Sequence, residues 1–504
     1  MPTQWETFPI KFEGGLVTNR GRLEQGLDFP GSATTLQNFE ADIQGGYTRI
    51  MGFTKFSEEE VPGTGQVKGV IAVEESKVVA FRGNKAYTSE SGVWTEILTI
   101  PADTYTKIHY ESYDFGTGKK FVVVDGVNAP AFYDVVAGTM AYDGTLPPDL
   151  DGSKFVREFK HHLFYTKGKF LNWGAPYTDN DFNTGNGAGV INVGEEITGL
   201  ISFREQLFIF CLNKIFRLSG DTSENFKLDP VTTNTGCIDG FTIQEVGGDI
   251  MYLSSDGVRY LSASERENDF GLTRASEKIQ SEFNRVSLNA VFSSVTISNK
   301  NQYRIFIYED TVPGPQAEAF IATKFSNQTV DNVSWSTIKG MKVYATSELM
   351  SKEREYIFFC SENGFIYRME SGNSFDGLPI SAVFKTPFMP ITDPKVRKTY
   401  YKLTTYTRSS VSTDLFLELL FDYKEAGVIL PEAYQLSSFR GDSIYGDPGS
   451  IYGTSTYGGV ANVELNTNLE GSSFVVALKY TNTSTQPPFN INFATLEFRT
   501  NERR

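Results

Sequence analysis

Apolar and polar positions alternate in short runs along most of the chain, and the runs come in pairs joined by turn residues. Residues 69–97, "GVIAVEESKVVAFRGNKAYTSESGVWTEI", predict three to four consecutive antiparallel strands. Similar units follow at "KFVVVDGVNAPAFYDVV", "FVREFKHHLFYTKGKFLNW", "ITGLISFREQLFIFCLNKIFRLSGD", "IQEVGGDIMYLSSDGVRYLSA" and "REYIFFCSENGFIYRME". Their starts lie roughly 35 to 50 residues apart, which overlaps the repeat length of propeller blades. Each unit leaves sheet faces that need a neighbour, so radial stacking is the economical solution, ahead of a single sandwich array.

The same period of two continues beyond residue 378. Phe474, Val476, Leu478 and Tyr480 share one face, and Phe489, Ile491 and Phe493 another. The fold class expected is therefore all-β: a β-propeller-like array of short antiparallel sheets plus a C-terminal β-sandwich or barrel module. Domain bounds follow as 1–60 for an N-terminal arm and first strand, 61–377 for the propeller and 378–504 for the C-terminal domain. Within the last, "SSFRGDSIYGDPGSIYGTSTYGG" is a Gly/Tyr-rich loop too long for a hairpin. One helix is expected in "ASEKIQSEFNRVSLNA", where Ile279, Phe283 and Val286 recur at helical spacing after a candidate cap, Ser276.

Near the N-terminus, "NFEADIQGGYTRIMGFTKF" combines a double-glycine turn, Gly45-Gly46, with one strand that places Tyr47, Arg49, Met51 and Phe53 on a single face. Two aromatics, a Met and an Arg suit a contact surface as well as a core.

Composition supports strands: 40 Phe and 25 Tyr raise the aromatic share to 14%. A net charge of −15 argues against a tight, non-specific grip on nucleic acid through phosphate neutralisation. The N-terminus has neither a basic nor an apolar leader region, so no secretory signal is expected, and no apolar run approaches a membrane span.

Catalytic chemistry has few candidates. Cys211, Cys237 and Cys360 have no metal-like spacing, and two of them sit in apolar strand-like runs. Of three histidines, His161 and His162 are adjacent and point to opposite faces of a strand, which spoils them as ligands to one ion. Asp179, Asp181 and Asn183 have calcium-loop spacing, but Thr184 and Val190 stand where that loop needs Gly and a bidentate Glu. "SSDGVRYL" lacks the spacing of a sialidase turn, and "FRGDS" is read as chance. No nucleotide, serine-hydrolase or zinc-protease motif is present. The expectation is no enzyme, no cofactor and no metal.

The stretch "LQNFEADIQGGYTRIMGFTKF" resembles the N-terminal signature of tail nozzle proteins of short-tailed bacteriophages, also called packaged-DNA stabilisation proteins. "GEEITGLISFREQLFIFCLNKIFRLSGD" is similar to that family's central stretch, and "AVFKTPFMP" and "FNINFATLEFR" to its C-terminal β region. It departs from the family in lacking a Pro before Gly52. The resemblance implies a structural virion protein: a homo-hexamer below the portal adaptor (head-to-tail connector), meeting tail tip, needle or fibre proteins, and retaining and conducting genomic DNA. It also implies assembly in a host cytoplasm and residence in the virion tail. Interface candidates are Trp5, Phe8, Arg20, Arg22, Tyr47 and Arg49, with Tyr445, Tyr452 and Tyr457 of the Gly/Tyr loop as a second surface. The alternative is a glycan-binding or glycan-cleaving β-propeller.

Overall fold

The computed structural model describes residues 5–90, 92–261, 274–309, 318–325, 333–352, 354–409, 414–424, 428–437, 442–443, 456–457 and 461–501. Its larger part is a β-propeller of six four-stranded antiparallel blades. Blade 1 is built from Val67–Glu74, Lys77–Arg82, Lys85–Glu90 and Val93–Thr99. Blades 2, 3 and 4 begin with His109–Tyr113, Phe155–Phe159 and Ile197–Phe203. A three-stranded sheet, Gln244–Val246, Asp249–Ser254 and Gly257–Tyr260, is wedged in next. Blade 5 runs through Val291–Ile297, Gln302–Tyr308, Ala319–Lys324 and Val333–Ile338. Blade 6 has Ala345–Ser351, Arg354–Cys360 and Ile366–Met369.

The apolar runs explain the stacking. A strand such as "QLFIFC", Gln206–Cys211, is buried on both faces, so it needs a sheet on either side. Phe121 and Val123 of blade 2 accordingly pack with Val79 and Phe81 of blade 1, while Val122 and Val124 pack with Val156 and Tyr165 of blade 3. The ring closes where Phe358 and Ile366 of blade 6 meet Val70 and Val78 of blade 1.

The fourth strand of blade 6 comes from the N-terminal segment. Phe53–Lys55 pairs antiparallel with Ile366–Met369, and Phe53 sits among Phe359, Tyr367 and Phe375 with ring centroids 5.2, 5.0 and 5.1 Å away. The single strand predicted through residues 47–54 is thus two. Tyr47–Arg49 belongs to the C-terminal sandwich, and the chain crosses to the propeller at Ile50–Gly52. The turn before it is as expected, with Gly45 and Gly46 at φ of 95° and 84°.

The C-terminal module is a two-layer sandwich. One layer orders Phe39–Ala41, Tyr47–Arg49, Asn490–Thr500, Lys398–Ser409 and Ala461–Asn468, with Glu6–Lys11 also paired to Asn490–Thr500. The other orders Thr35–Gln37, Ile380–Lys385, Val476–Ser484, Asp414–Phe421 and Tyr434–Ser437. This second layer is continuous with blade 5, because Gln37 pairs in parallel with Thr337. Phe12, Tyr47, Phe384, Leu417, Leu478, Tyr480 and Ile491 fill the space between the layers, and the rings of Phe384 and Tyr480 stack at 5.7 Å. Residues 5–60 therefore do not stand apart as an arm: they supply four sandwich strands and one propeller strand.

The helical segment is shorter than its pattern suggests, a 3-10 turn Glu277–Ile279 running into Gln280–Phe283. Ser276 does not cap it. Its hydroxyl instead accepts from the Val258 amide, which ties the turn to the three-stranded sheet. Ile279 and Phe283 are buried as their spacing predicts.

Candidate functional site

The first strands of the blades, with Gln244 of the three-stranded sheet, face a common pocket of about 270 Å³ on the propeller axis. Both faces of a blade pack on its neighbours, so the innermost strands turn their edges to the axis and consecutive residues of each line the pocket. The walls carry Lys107, His109, Tyr110 and Glu111 from blade 2 and its approach, Arg157 from blade 3, Ser293 and Ser294 from blade 5, and Ser347 and Glu348 from blade 6.

Most of these groups are held. Arg157 Nη1 donates to Glu111 Oε2 at 2.8 Å. Lys107 Nζ donates to the Phe292 carbonyl at 2.5 Å and lies 3.9 Å from the centre of the Phe241 ring. Tyr110 Oη and Ser347 Oγ are 2.7 Å apart, and Gln244 Nε2 donates to the Ser294 carbonyl at 3.2 Å. His109 Nδ1 accepts from the Val156 amide at 3.3 Å, which leaves the proton of the neutral ring on Nε2.

Enclosure alters the protonation of these groups. Burial, with Arg157 and Lys107 adding positive charge, pushes His109 down to about 3. Burial lowers Lys107 to about 8, although Asp239 acts the other way. Glu348 keeps solvent contact, yet the walls strip water from its carboxylate and Glu355 adds like charge, so it rises to about 7. Burial raises the Glu111 carboxyl against the pull of Arg157.

The interface candidates of the sequence fall elsewhere. Tyr47 and Arg49 are both fully buried and are corrected from contact surface to core. Tyr47 Oη accepts from the Gly15 amide at 3.0 Å and donates to the Gly31 carbonyl at 3.1 Å. Arg49 donates through Nη1 to Ser484 Oγ at 2.9 Å and to Asn482 Oδ1 at 3.3 Å, and through Nη2 to the carbonyls of Asn373 and Gln486. Phe8 is half-buried against the sandwich core. Trp5 is 40% exposed and stacks on Tyr401 at 4.6 Å. Arg22 is exposed, as is Arg20, which pairs with Glu24 at 2.6 Å. Tyr445, Tyr452 and the side chain of Tyr457 lie outside the described residues.

Other candidates have structural partners. Asp179 accepts from Lys120 at 2.9 Å and from Tyr113 at 3.0 Å. Asp181 accepts from the Asn183 amide, and Asn183 from the Gly185 amide, so these oxygens shape their own loop. His161 stands at a hairpin with φ of 65° and stacks on Tyr177, while His162 is buried with Nδ1 2.7 Å from the Gly174 carbonyl. The axial residues were missed because they come together from four blades far apart in sequence. Their one signal was a charged residue inside an otherwise strand-like run, as in "HYESY".

No family model and no curated protein matches the chain. Among solved structures, it is similar to the extracellular domain of the hybrid two-component system BT3049 of B. thetaiotaomicron. That likeness has 10% identity and a TM-score of 0.41, over 66% of this chain and 42% of that one. It is also similar to the AfRom2 CNH domain, at 13% identity and a TM-score of 0.39 over 64% of this chain and all of the domain. YCF48 bound to D1 peptide gives 11% and 0.38, over 62% and 95%. This chain thus spans about two fifths of the length of the first of these proteins. At such scores the likenesses carry no argument about function.

Proposed function

We propose that this chain is a structural virion protein, one subunit of a homo-hexameric tail nozzle that retains genomic DNA and conducts it during ejection. The observation that supports this reading is where the signature stretch lies. Residues 36–56 pass from the sandwich, through the buried Tyr47 and Arg49, to the closing strand of blade 6. The residues that carry the resemblance therefore weld propeller and sandwich into one body, and none of them faces the axial pocket. Such a part suits a protein whose work is mechanical.

In this reading the portal adaptor binds one end of the ring and tail tip, needle or fibre proteins the other, in the virion tail. Of the interface candidates, Trp5, Arg20 and Arg22 remain on the surface to make such contacts. DNA passes without sequence-specific binding, and the acidic balance of the chain keeps phosphates from sticking.

Single-particle electron microscopy of the purified protein, with and without its adaptor ring, tests the proposal. Sixfold rings with a central hole wide enough for duplex DNA are expected. Monomers under both conditions would overturn it.

A further inference from the structure

We propose that the axial pocket of the propeller binds one neutral, hydroxyl-rich ring of the monosaccharide class. The inference is independent of the assembly reading, since it concerns the axis of a single propeller.

The volume sets the scale. At about 270 Å³ the pocket falls just under the range of about 300–1,000 Å³ that takes drug-sized ligands, so a single ring is the fitting guest.

The charges select the class. Arg157 is neutralised by Glu111, and Lys107 is engaged by the Phe292 carbonyl, Ser293 Oγ and the Phe241 face. An anion would have to displace Glu111 and lie near Glu348, while an ammonium group would meet Arg157 and Lys107. A neutral guest avoids both conflicts.

What remains are polar groups seeking partners of mixed sense. His109 presents a donor at Nε2, because the Val156 amide occupies Nδ1. Glu348 makes no ion pair among the described residues and, besides the hydrogen bond it takes from the Thr296 backbone, offers acceptor oxygens. Ser347 Oγ already accepts from the Ala72 amide, so in the Tyr110–Ser347 pair it is the Tyr110 hydroxyl that is left to meet a guest. Hydroxyls both donate and accept, so adjacent hydroxyls on one ring match such a set.

The test is isothermal calorimetry of the full chain with D-glucose, D-galactose and N-acetyl-D-glucosamine, followed by hydrogen–deuterium exchange. At least one sugar is expected to bind a single saturable site with a Kd of roughly 0.1–10 mM. Protection should be confined to residues 107–112, 293–295 and 345–348. Glu348→Ala, which breaks no ion pair, should weaken binding at least about tenfold while leaving the melting curve in place. Absence of saturable heat and protection for all three sugars would overturn the proposal. So would equal binding by the variant, or tighter binding of inorganic phosphate or methylammonium than of any sugar.

Discussion

Arg304 of blade 5 donates through Nη2 to Glu40 Oε2 of the sandwich at 2.9 Å, across 264 residues of sequence. Both residues are buried, and each has a second opposite charge. Arg304 Nη1 lies 2.8 Å from Glu370 Oε1, Lys300 Nζ lies 2.6 Å from Glu40 Oε1, and Lys300 also reaches Glu370. Four charges of alternating sign thus close a ring at the joint between blade 5, blade 6 and the sandwich.

Arg304→Met would leave Glu40 and Glu370 buried with only Lys300 between them. Removing one partner of such a network costs about 3–5 kcal/mol. The variant should unfold at a clearly lower urea concentration, and a loss below about 1 kcal/mol would show that the joint does not depend on the ring.

Gly52 occupies the crossing from sandwich to propeller, where its amide donates to the Gly372 carbonyl at 3.0 Å. A Cβ there would stand 1.9 Å from the Ser374 carbonyl oxygen, which is backbone and cannot swing aside. Gly52→Ala should therefore free the Phe53–Lys55 strand from blade 6. Proteolysis near residues 50–56 would detect this, and a variant as resistant as the parent would contradict it.

Arg49→Lys keeps the charge but loses the fork that spans acceptors on two segments, Asn373 and Asn482–Gln486. Buried acceptors left unpaired should lower stability by about 2–4 kcal/mol, read from the same urea titration. Burial already lowers Arg49 to about 10, so the lysine would meet the same penalty with fewer contacts.

Acid should destabilise the propeller through His109. Its pKa in the folded chain, about 3, lies below the ordinary value near 6.5, so below that value the unfolded chain takes up a proton that the folded chain refuses. Stability from this group is full above pH 6.5 and falls, by up to about 1.4 kcal/mol per pH unit, toward pH 3. His109→Gln should flatten the difference in melting temperature between pH 7 and pH 5. An unchanged pH profile would show that His109 is not the group responsible.

Cys211, Cys237 and Cys360 are all buried, and burial pushes each thiol up to about 12. A thiol reagent such as DTNB should find none of the three in the native chain and all three in guanidinium. Rapid native reaction would mean that these strands open readily.

Local pattern was a reliable guide wherever one residue's neighbours in sequence are also its neighbours in space. The hairpins from "GVIAVEESKVVAFRG" onward, the turn at Gly45-Gly46 and the shared face of Val476, Leu478 and Tyr480 follow from period two and from turn chemistry alone. Alternation states that a strand has two different faces. It does not state what covers them. In sequence Tyr47 and Arg49 suit a contact surface as well as a core, and it is the hairpin loop at 482–486 and the segment around Gly15 and Gly31 that bury them. The same limit hid the axial site, whose Lys107, Glu111, Arg157 and Glu348 are spread over three blades. Sequence alone thus determined the repeated antiparallel sheets and the class of fold. Tertiary structure decided which faces meet, because a two-faced strand fixes the need for a partner and long-range packing supplies its identity.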